Sequence, residues 1–203
     1  MQSIHKQVLN KIRDLERGSI FFPEDFDLTG NSESVRQALS RICREGVIIR
    51  LSKGVYLYPE IDGELGIFYP SVERIAKAIS KRDKSRIVPA GAFALNRLGL
   101  STQIPMNIIF LTDGITRKIN IGKQTITFKH THPKSFSFRG KITPMAVAAL
   151  KEIGKGKALL EELHKIRAAL QSEPEEIVLS DAYLAPRWIT DIILSFINHP
   201  KNE

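Results

Sequence analysis

The 203-residue sequence predicts an α+β protein with two domains joined by a short linker. Near both ends of the chain, apolar residues recur every three or four positions, which is the spacing of amphipathic helices. Between these regions, three runs within residues 107–130 are rich in Ile, Thr and Phe and are typical of strands. The segment PEIDGELGIFYP at 59–70 contains two prolines and two glycines. It predicts a linker, so the two domains are expected at 1–58 and 71–203.

The composition excludes several classes of protein. With 42% hydrophobic residues the chain can build a core, which excludes wholesale disorder. No stretch approaches the roughly 20 apolar residues that a membrane span needs, and the charged N-terminal segment does not resemble a secretory signal. The single cysteine, Cys43, excludes an internal disulfide and a cysteine-rich zinc site. These features predict a cytosolic protein without membrane association.

The first domain begins with a predicted helix. Ile4, Val8, Ile12 and Leu15 share one helical face, and Ser3 is suited to cap its N-terminus. The serine side chain can accept a hydrogen bond from a backbone N–H group that has no partner inside the helix. A helix is therefore expected from about residue 4.

Two further helices and a hairpin are predicted in the same domain. Pro23 fits the first turn of a short helix, and residues 28–31 predict a turn. A third helix extends from Ser32 to Gly46, where glycine favours a helix end. A β-hairpin follows at 47–58, with its turn at Ser52-Lys53-Gly54. This order of elements is that of a winged helix-turn-helix.

The second domain predicts a mixture of helices and strands, including one antiparallel hairpin. The turn signal Gly122-Lys123 joins the last two of its strands. The predicted helices lie at 71–82, at 91–98, at 143–150, in the segment whose apolar face is formed by Leu159, Leu163, Ile166 and Leu170, and from Pro186 through Phe196. The predicted strands lie at 86–88, 107–112, 117–121 and 124–130.

The third helix has a buried face and an outer face suited to DNA. Val35, Leu39 and Ile42 point to one side, where they are expected to pack on the first helix. The outer face carries Arg, Gln and Ser, and these side chains can hydrogen-bond to base edges or phosphates. The following hairpin, the wing, adds two cations. The predicted DNA-binding residues are Ser32, Ser34, Arg36, Gln37, Ser40, Arg41, Arg44, Arg50 and Lys53.

Other interpretations of these residues remain open. An amphipathic helix can simply expose a solvated basic face, and winged helices also serve as protein-interaction modules. An enzyme is disfavoured because the chain lacks the usual catalytic motifs and its carboxylates between 61 and 140 are scattered. His130 and His132 share one strand face, but no nearby ligand completes a metal site. We therefore predict no catalytic residue, no cofactor and no metal.

Most of the net charge of +8 lies outside the predicted DNA-binding domain. Residues 1–60 carry 9 basic and 8 acidic side chains, whereas residues 61–140 carry 13 basic and 5 acidic ones. This excess predicts a second basic surface that extends a DNA footprint, binds RNA or an acidic protein, or is merely solvated. The residues assigned to it are Lys81, Arg82, Lys84, Arg86, Arg97, Arg117 and Lys118.

Two segments resemble a known family. The run VRQALSRICREGVIIRLSKGVYLYP, which contains Lys53-Gly54-Val55-Tyr56 and ends at Pro59, resembles the N-terminal winged helix of AbiEi-type antitoxins of type IV toxin–antitoxin systems. The run from Ala94 to Pro105, with the β-rich stretch ending near His130, is similar to the start of their C-terminal domain. The resemblance covers about residues 1–140.

The resemblance implies two activities. The winged helix would repress its own operon by binding inverted repeats in double-stranded operator DNA. The C-terminal domain would counteract a nucleotidyltransferase-like toxin encoded by the adjacent gene, without necessarily binding it directly; such systems serve in phage defence. The alternative is a winged-helix regulator with no toxin partner, whose second domain binds a ligand or oligomerises.

Overall fold

The computed structural model describes residues 3–26, 32–132 and 136–198. Within these ranges the protein is α+β, with eight α-helices, one short 3₁₀ helix and nine strands. The chain divides into two compact units. The first comprises residues 1–82 and 118–123, and the second comprises 83–117 and 124–203. The predicted turn at 28–31 lies outside the described residues.

The first unit begins with a helix and builds a three-stranded antiparallel sheet of order β1-β3-β2. Ser3 Oγ accepts a hydrogen bond from Lys6 N at 3.4 Å, so the predicted N-cap is confirmed. The short helix at Pro23 is a 3₁₀ helix, and a strand not predicted from the sequence precedes it. The elements are α1 (Ile4–Arg13), β1 (Ser19–Phe21), the 3₁₀ helix (Pro23–Phe26), α2 (Ser32–Arg44), β2 (Ile49–Ser52) and β3 (Val55–Tyr58).

The core of the first unit lies where α1, α2 and the sheet meet. Ile12, Leu39 and Ile42 are fully buried there. The stacked rings of Phe21 and Tyr56, whose centroids are 5.8 Å apart, extend this core across β1 and β3. Burial of several large apolar side chains, each contributing roughly 1.5–3 kcal/mol, fixes α2 against α1.

The segment 59–70, which the sequence predicts as a linker, folds as a hairpin of β4 (Glu60–Asp62) and β5 (Gly66–Phe68). Asp62 Oδ1 accepts hydrogen bonds from Glu64 N and Leu65 N, both at 2.8 Å. These bonds close the turn, so the glycines serve a hairpin rather than a flexible connection. The first unit continues into α3 (Val72–Asp83) as far as Arg82.

A four-stranded sheet of order β6-β7-β9-β8 contains the three strands predicted between 107 and 130. Their observed bounds match the predicted ones. β6 pairs antiparallel with β7, whereas β7 runs parallel to β9 with Asn107 opposite Thr125. The sequence predicted no parallel pairing. The strands are β6 (Ile87–Ala90), β7 (Asn107–Thr112), β8 (Arg117–Ile121) and β9 (Gln124–His130).

The helices of the second unit enclose their own core, in which Leu150, Ile166, Ile189 and Ile193 are completely or almost completely buried. Leu159 is predicted on the same buried helical face as Leu163, Ile166 and Leu170. It is instead 66% exposed, because it precedes the first turn of that helix. One helix of this unit, α7, was not predicted. The helices are α4 (Ala92–Arg97), α5 (Thr143–Ile153), α6 (Leu160–Leu170), α7 (Glu175–Ala182) and α8 (Arg187–Asn198). None of the described helices has the length and apolar character needed to span a bilayer.

Candidate nucleic-acid interface

The predicted DNA-binding residues lie on the exposed side of α2 and on the β2–β3 hairpin. Val35, Leu39 and Ile42 form the opposite, buried side of α2, as their spacing predicts. Ser34 is half-buried. The other eight residues are exposed: Ser32, Arg36, Gln37, Ser40, Arg41, Arg44, Arg50 and Lys53.

One cation of β2 and one of α2 act electrostatically on the same buried phenol. Tyr56 lies opposite Arg50 in the β2–β3 pairing and is 5% exposed. Burial raises the pKa of Tyr56, the neighbouring Cys43 raises it further, and the positive charges of Arg50 and Arg36 act in the opposite direction. Both guanidinium groups are therefore within electrostatic range of the same hydroxyl. The structure thus brings helix and hairpin cations to one region of the first unit.

The two ends of α2 have additional polar contacts. Arg36 Nη1 lies 3.8 Å from Glu33 Oε2 within the helix, and both side chains are more than half exposed. An exposed pair of this kind contributes little to stability, so the arginine can exchange its partner for a phosphate at small cost. Just beyond the helix end, Glu45 Oε1 lies 3.2 Å from His5 Nε2 of α1. This contact links the two packed helices at the C-terminal end of α2.

The β2–β3 hairpin is attached to the last turn of α3. Gly54 in its turn has φ = +71°, a conformation that favours glycine. Its carbonyl accepts a hydrogen bond from Arg82 Nη1 at 2.9 Å, and the guanidinium carbon of Arg82 lies 4.5 Å from the ring centroid of Phe22. Sequence reasoning assigned Arg82 to the second basic surface and missed this contact, because the partners are 28 residues apart.

Other members of the predicted second basic surface are also engaged within the protein. Arg86 Nε donates to Asp113 Oδ2 at 2.8 Å, and its Nη1 donates to the Phe136 carbonyl at 3.1 Å. The hydrogen bond from the Arg86 side chain holds the pKa of Asp113 below its ordinary value. Arg117 Nη2 lies 2.7 Å from Asp83 Oδ2.

The seven residues of the predicted surface divide between the compact units. Lys81, Arg82 and Lys118 belong to the first unit, and the rest belong to the second. The side chains exposed to solvent are Lys81, Lys84, Arg86, Arg97 and Lys118. The basic residues assigned to this surface therefore include side chains that make contacts within the fold as well as side chains that face solvent.

His130 is the last residue of β9 and has local partners, whereas His132, predicted on the same strand face, lies beyond the end of the strand. His130 Nδ1 lies 3.0 Å from the Gly114 carbonyl, and His130 N donates to Thr116 Oγ1 at 3.1 Å. In the part of the chain that the structure describes, no three His, Cys, Asp or Glu side chains group closely enough to hold a metal ion. The exposed side chains of α2 and of the β2–β3 hairpin include hydrogen-bond donors and cations.

Comparisons with known proteins give one family match and a distant structural neighbour. A model of a family described as "Family of unknown function (DUF6088)" matches residues 7–178. The search of curated proteins finds no significant match. Among solved structures, the RV2827C protein from Mycobacterium tuberculosis matches with a TM-score of 0.42 and 11% identity, over 99% of this chain and 83% of that chain. The family description and the neighbour's name specify no ligand or activity.

Proposed function

This chain belongs to the DUF6088 family, a family of unknown function, and we propose that its first unit is a winged helix-turn-helix that binds double-stranded operator DNA. The observation that carries the proposal is the outer face of α2. Four of its exposed residues, Arg36, Gln37, Arg41 and Arg44, are strong hydrogen-bond donors. They lie on a helix whose other side is fixed in the core.

The arrangement of elements supports the proposal. The elements follow in the order α1, β1, 3₁₀ helix, α2, β2 and β3. In this proposal they form a winged helix in which the 3₁₀ helix takes the place of the usual short second helix. The recognition helix is then α2 and the wing is the β2–β3 hairpin. In helix-turn-helix proteins the recognition helix enters the major groove, while neighbouring elements contact the phosphate backbone.

Each part of the interface has a chemical role in this proposal. Arginine on α2 can donate two hydrogen bonds to O6 and N7 of guanine, and Gln37 can pair with N6 and N7 of adenine. Arg50 and Lys53 of the wing neutralise phosphates, which makes binding depend strongly on salt. The net charge of the N-terminal 60 residues is small, but between Ser32 and Val55 there are five exposed cations against two acidic residues.

The resemblance to AbiEi-type antitoxins extends the proposal to the whole chain. In this proposal the protein represses its own operon by binding inverted repeats, and it counteracts a nucleotidyltransferase-like toxin encoded by the adjacent gene. The two runs that carry the resemblance include most of α2, the wing and most of α4. The toxin-counteracting activity is assigned to the second unit.

Substitution of two arginines on α2 tests DNA binding. Arg41→Ala with Arg44→Ala is expected to weaken binding to the promoter region of its own gene at least tenfold, since each lost contact costs roughly 1–2 kcal/mol. Fluorescence anisotropy at fixed salt measures the affinity. Because both side chains are exposed, the melting temperature should stay unchanged.

A charge-matched control separates specific contact from net charge. Lys155→Ala with Lys157→Ala removes the same charge from exposed positions in the second unit. We expect this variant to bind DNA within about twofold of the wild type. Equal weakening by both double substitutions, or no weakening by the α2 pair, would overturn the assignment of the interface to α2.

Co-expression with the adjacent gene tests the antitoxin part. The full-length protein is expected to restore growth when that gene is toxic. The Arg41→Ala, Arg44→Ala variant should restore growth equally but lose repression of a promoter reporter. If the wild-type protein fails to restore growth, the antitoxin role is contradicted. The proposal that the first unit binds DNA is not affected by that result.

A cavity in the second unit favours a second candidate function, that of a ligand-responsive regulator without a toxin partner. The cavity has a volume of about 500 Å³. Val88, Leu111 and Val147 contribute apolar walls, and Lys151 and Glu152 contribute charged groups. An apolar cavity with a few polar groups is the usual form of a small-molecule site. DNA binding without rescue of growth would favour this function over the antitoxin.

A further inference from the structure

Arg82 connects three segments of the first unit. Its guanidinium donates to the Gly54 carbonyl in the wing turn and lies over the ring of Phe22, which precedes the 3₁₀ helix. Phe22 is itself only 7% exposed, so the ring is a fixed platform for the cation. These two contacts hold the guanidinium between the wing turn and the ring of Phe22.

The wing needs such a contact because its own pairing is short and irregular. β2 and β3 contain four residues each, and the register shifts between Arg50 and Ser52. A bulge of this kind redirects the side chains next to it. Lys53 lies between this bulge and Gly54, at the tip. The carbonyl that Arg82 holds therefore belongs to the residue directly after the wing lysine.

From this geometry we infer that Arg82 is the positioning residue of the wing: it holds the tip so that Lys53 and Arg50 meet the DNA phosphates. The inference rests on the DNA-binding function proposed above. Arg82 acts through Gly54 rather than by contacting DNA, because its guanidinium lies half-buried between the Gly54 carbonyl and the Phe22 ring. Arginine is suited to this task, since its planar group donates hydrogen bonds in its plane while stacking on an aromatic face.

The adjacent residue provides a matched control. Lys81 carries the same charge in the same turn of α3 and is exposed, whereas Arg82 is half-buried. If the charge of this turn acted on DNA directly, removal of either residue would weaken binding to a similar degree. If Arg82 positions the wing, its removal alone should have a large effect.

The experiment compares Arg82→Ala, Arg82→Lys, Lys81→Ala and Lys53→Ala in the full chain, with promoter DNA and anisotropy as the readout. We expect Arg82→Ala to weaken binding about tenfold and Lys81→Ala less than twofold. Arg82→Lys keeps the charge but not the planar stack and should remain at least fivefold weaker than the wild type. Combining Arg82→Ala with Lys53→Ala should add almost nothing to the larger single effect, because both changes remove the same wing contact.

Hydrogen exchange in the absence of DNA provides an independent readout. Amides of the wing tip at residues 53–55 should exchange at least tenfold faster in Arg82→Ala, while those of α2 remain protected. Unchanged exchange at the tip, additive effects of the two substitutions, or wild-type binding by Arg82→Lys would each overturn the inference. If the tip loosens but neither Arg41→Ala, Arg44→Ala nor Lys53→Ala affects binding, the DNA-binding proposal fails and the structural role of Arg82 stands.

Discussion

Replacing Asp181 with alanine is expected to destabilise the second unit by about 3 kcal/mol, because two partly buried backbone N–H groups lose a charged acceptor. Asp181 is 1% exposed. Its carboxylate accepts from Arg139 N at 3.0 Å and from Gly140 N at 2.7 Å, which ties the segment before α5 to α7. Urea denaturation followed by circular dichroism measures the loss in free energy of unfolding.

Two companion substitutions show whether these hydrogen bonds are responsible. Asp181→Asn retains one acceptor oxygen and should lose about half as much stability as the alanine variant. Ser180→Ala removes an exposed hydroxyl that bonds only to the Ile177 carbonyl among the described residues, and it should change the free energy by less than about 0.5 kcal/mol. Equal stability of the wild type and Asp181→Ala would show that solvent or a rearranged segment satisfies these groups.

The parts of the fold that the sequence predicts well are those defined by local periodicity. The buried face of α2 follows from the spacing of Val35, Leu39 and Ile42, and the three strands between 107 and 130 begin and end where their composition predicts. In each case the chain buries one side of a regular element, so the pattern of apolar residues reports the structure directly.

The parts that the sequence fails to predict depend on partners that are distant along the chain. The strand β1 has only three residues and exists because it pairs with β3. The sequence of a single strand does not determine which strand it pairs with or in which direction, so the parallel pairing of β7 with β9 is not predictable from either strand alone. The helix α7 is not strongly amphipathic, and the hairpin at 59–70 depends on a turn closed by Asp62.

The candidate site divides in the same way. The outer face of α2 is predictable because it is the reverse of a buried face. The role of Arg82 is not, because in sequence it is one cation among several near the end of α3. Arg86 and Arg117 are similar cases: each has an acidic partner 27 or 34 residues away in sequence, Asp113 and Asp83 respectively. The net charge calculated from the sequence does not distinguish arginines with such acidic partners from cations that only face solvent.

Glu173 supports the start of α5, and its replacement by alanine is expected to cost about 3 kcal/mol. Its carboxylate accepts from the backbone N–H groups of Lys141, Ile142 and Thr143 and from Thr143 Oγ1 at 2.8 Å. Thr143 is fully buried, so its hydroxyl has no access to water once this acceptor is gone. Glu175→Ala, an exposed carboxylate two residues further on, is the matched control and should have little effect on urea denaturation.

The same carboxylate should make the second unit sensitive to acid. Burial by itself raises the pKa of Glu173, but the hydrogen bonds from Ile142, Thr143 and Lys141 outweigh it and hold the pKa below its ordinary value of 4.5. A pKa that is depressed on folding stabilises the protein above the unfolded value, and that stability is lost as the pH falls through the folded value. As the pH decreases below about 4.5, the free energy of unfolding should therefore decrease. In the Glu173→Gln variant this decrease should be less steep. The difference in free energy of unfolding between the wild type and Glu173→Gln should then become smaller as the pH decreases. If this difference stays constant between about pH 6 and pH 3, the glutamate stabilises α5 without depending on its charge.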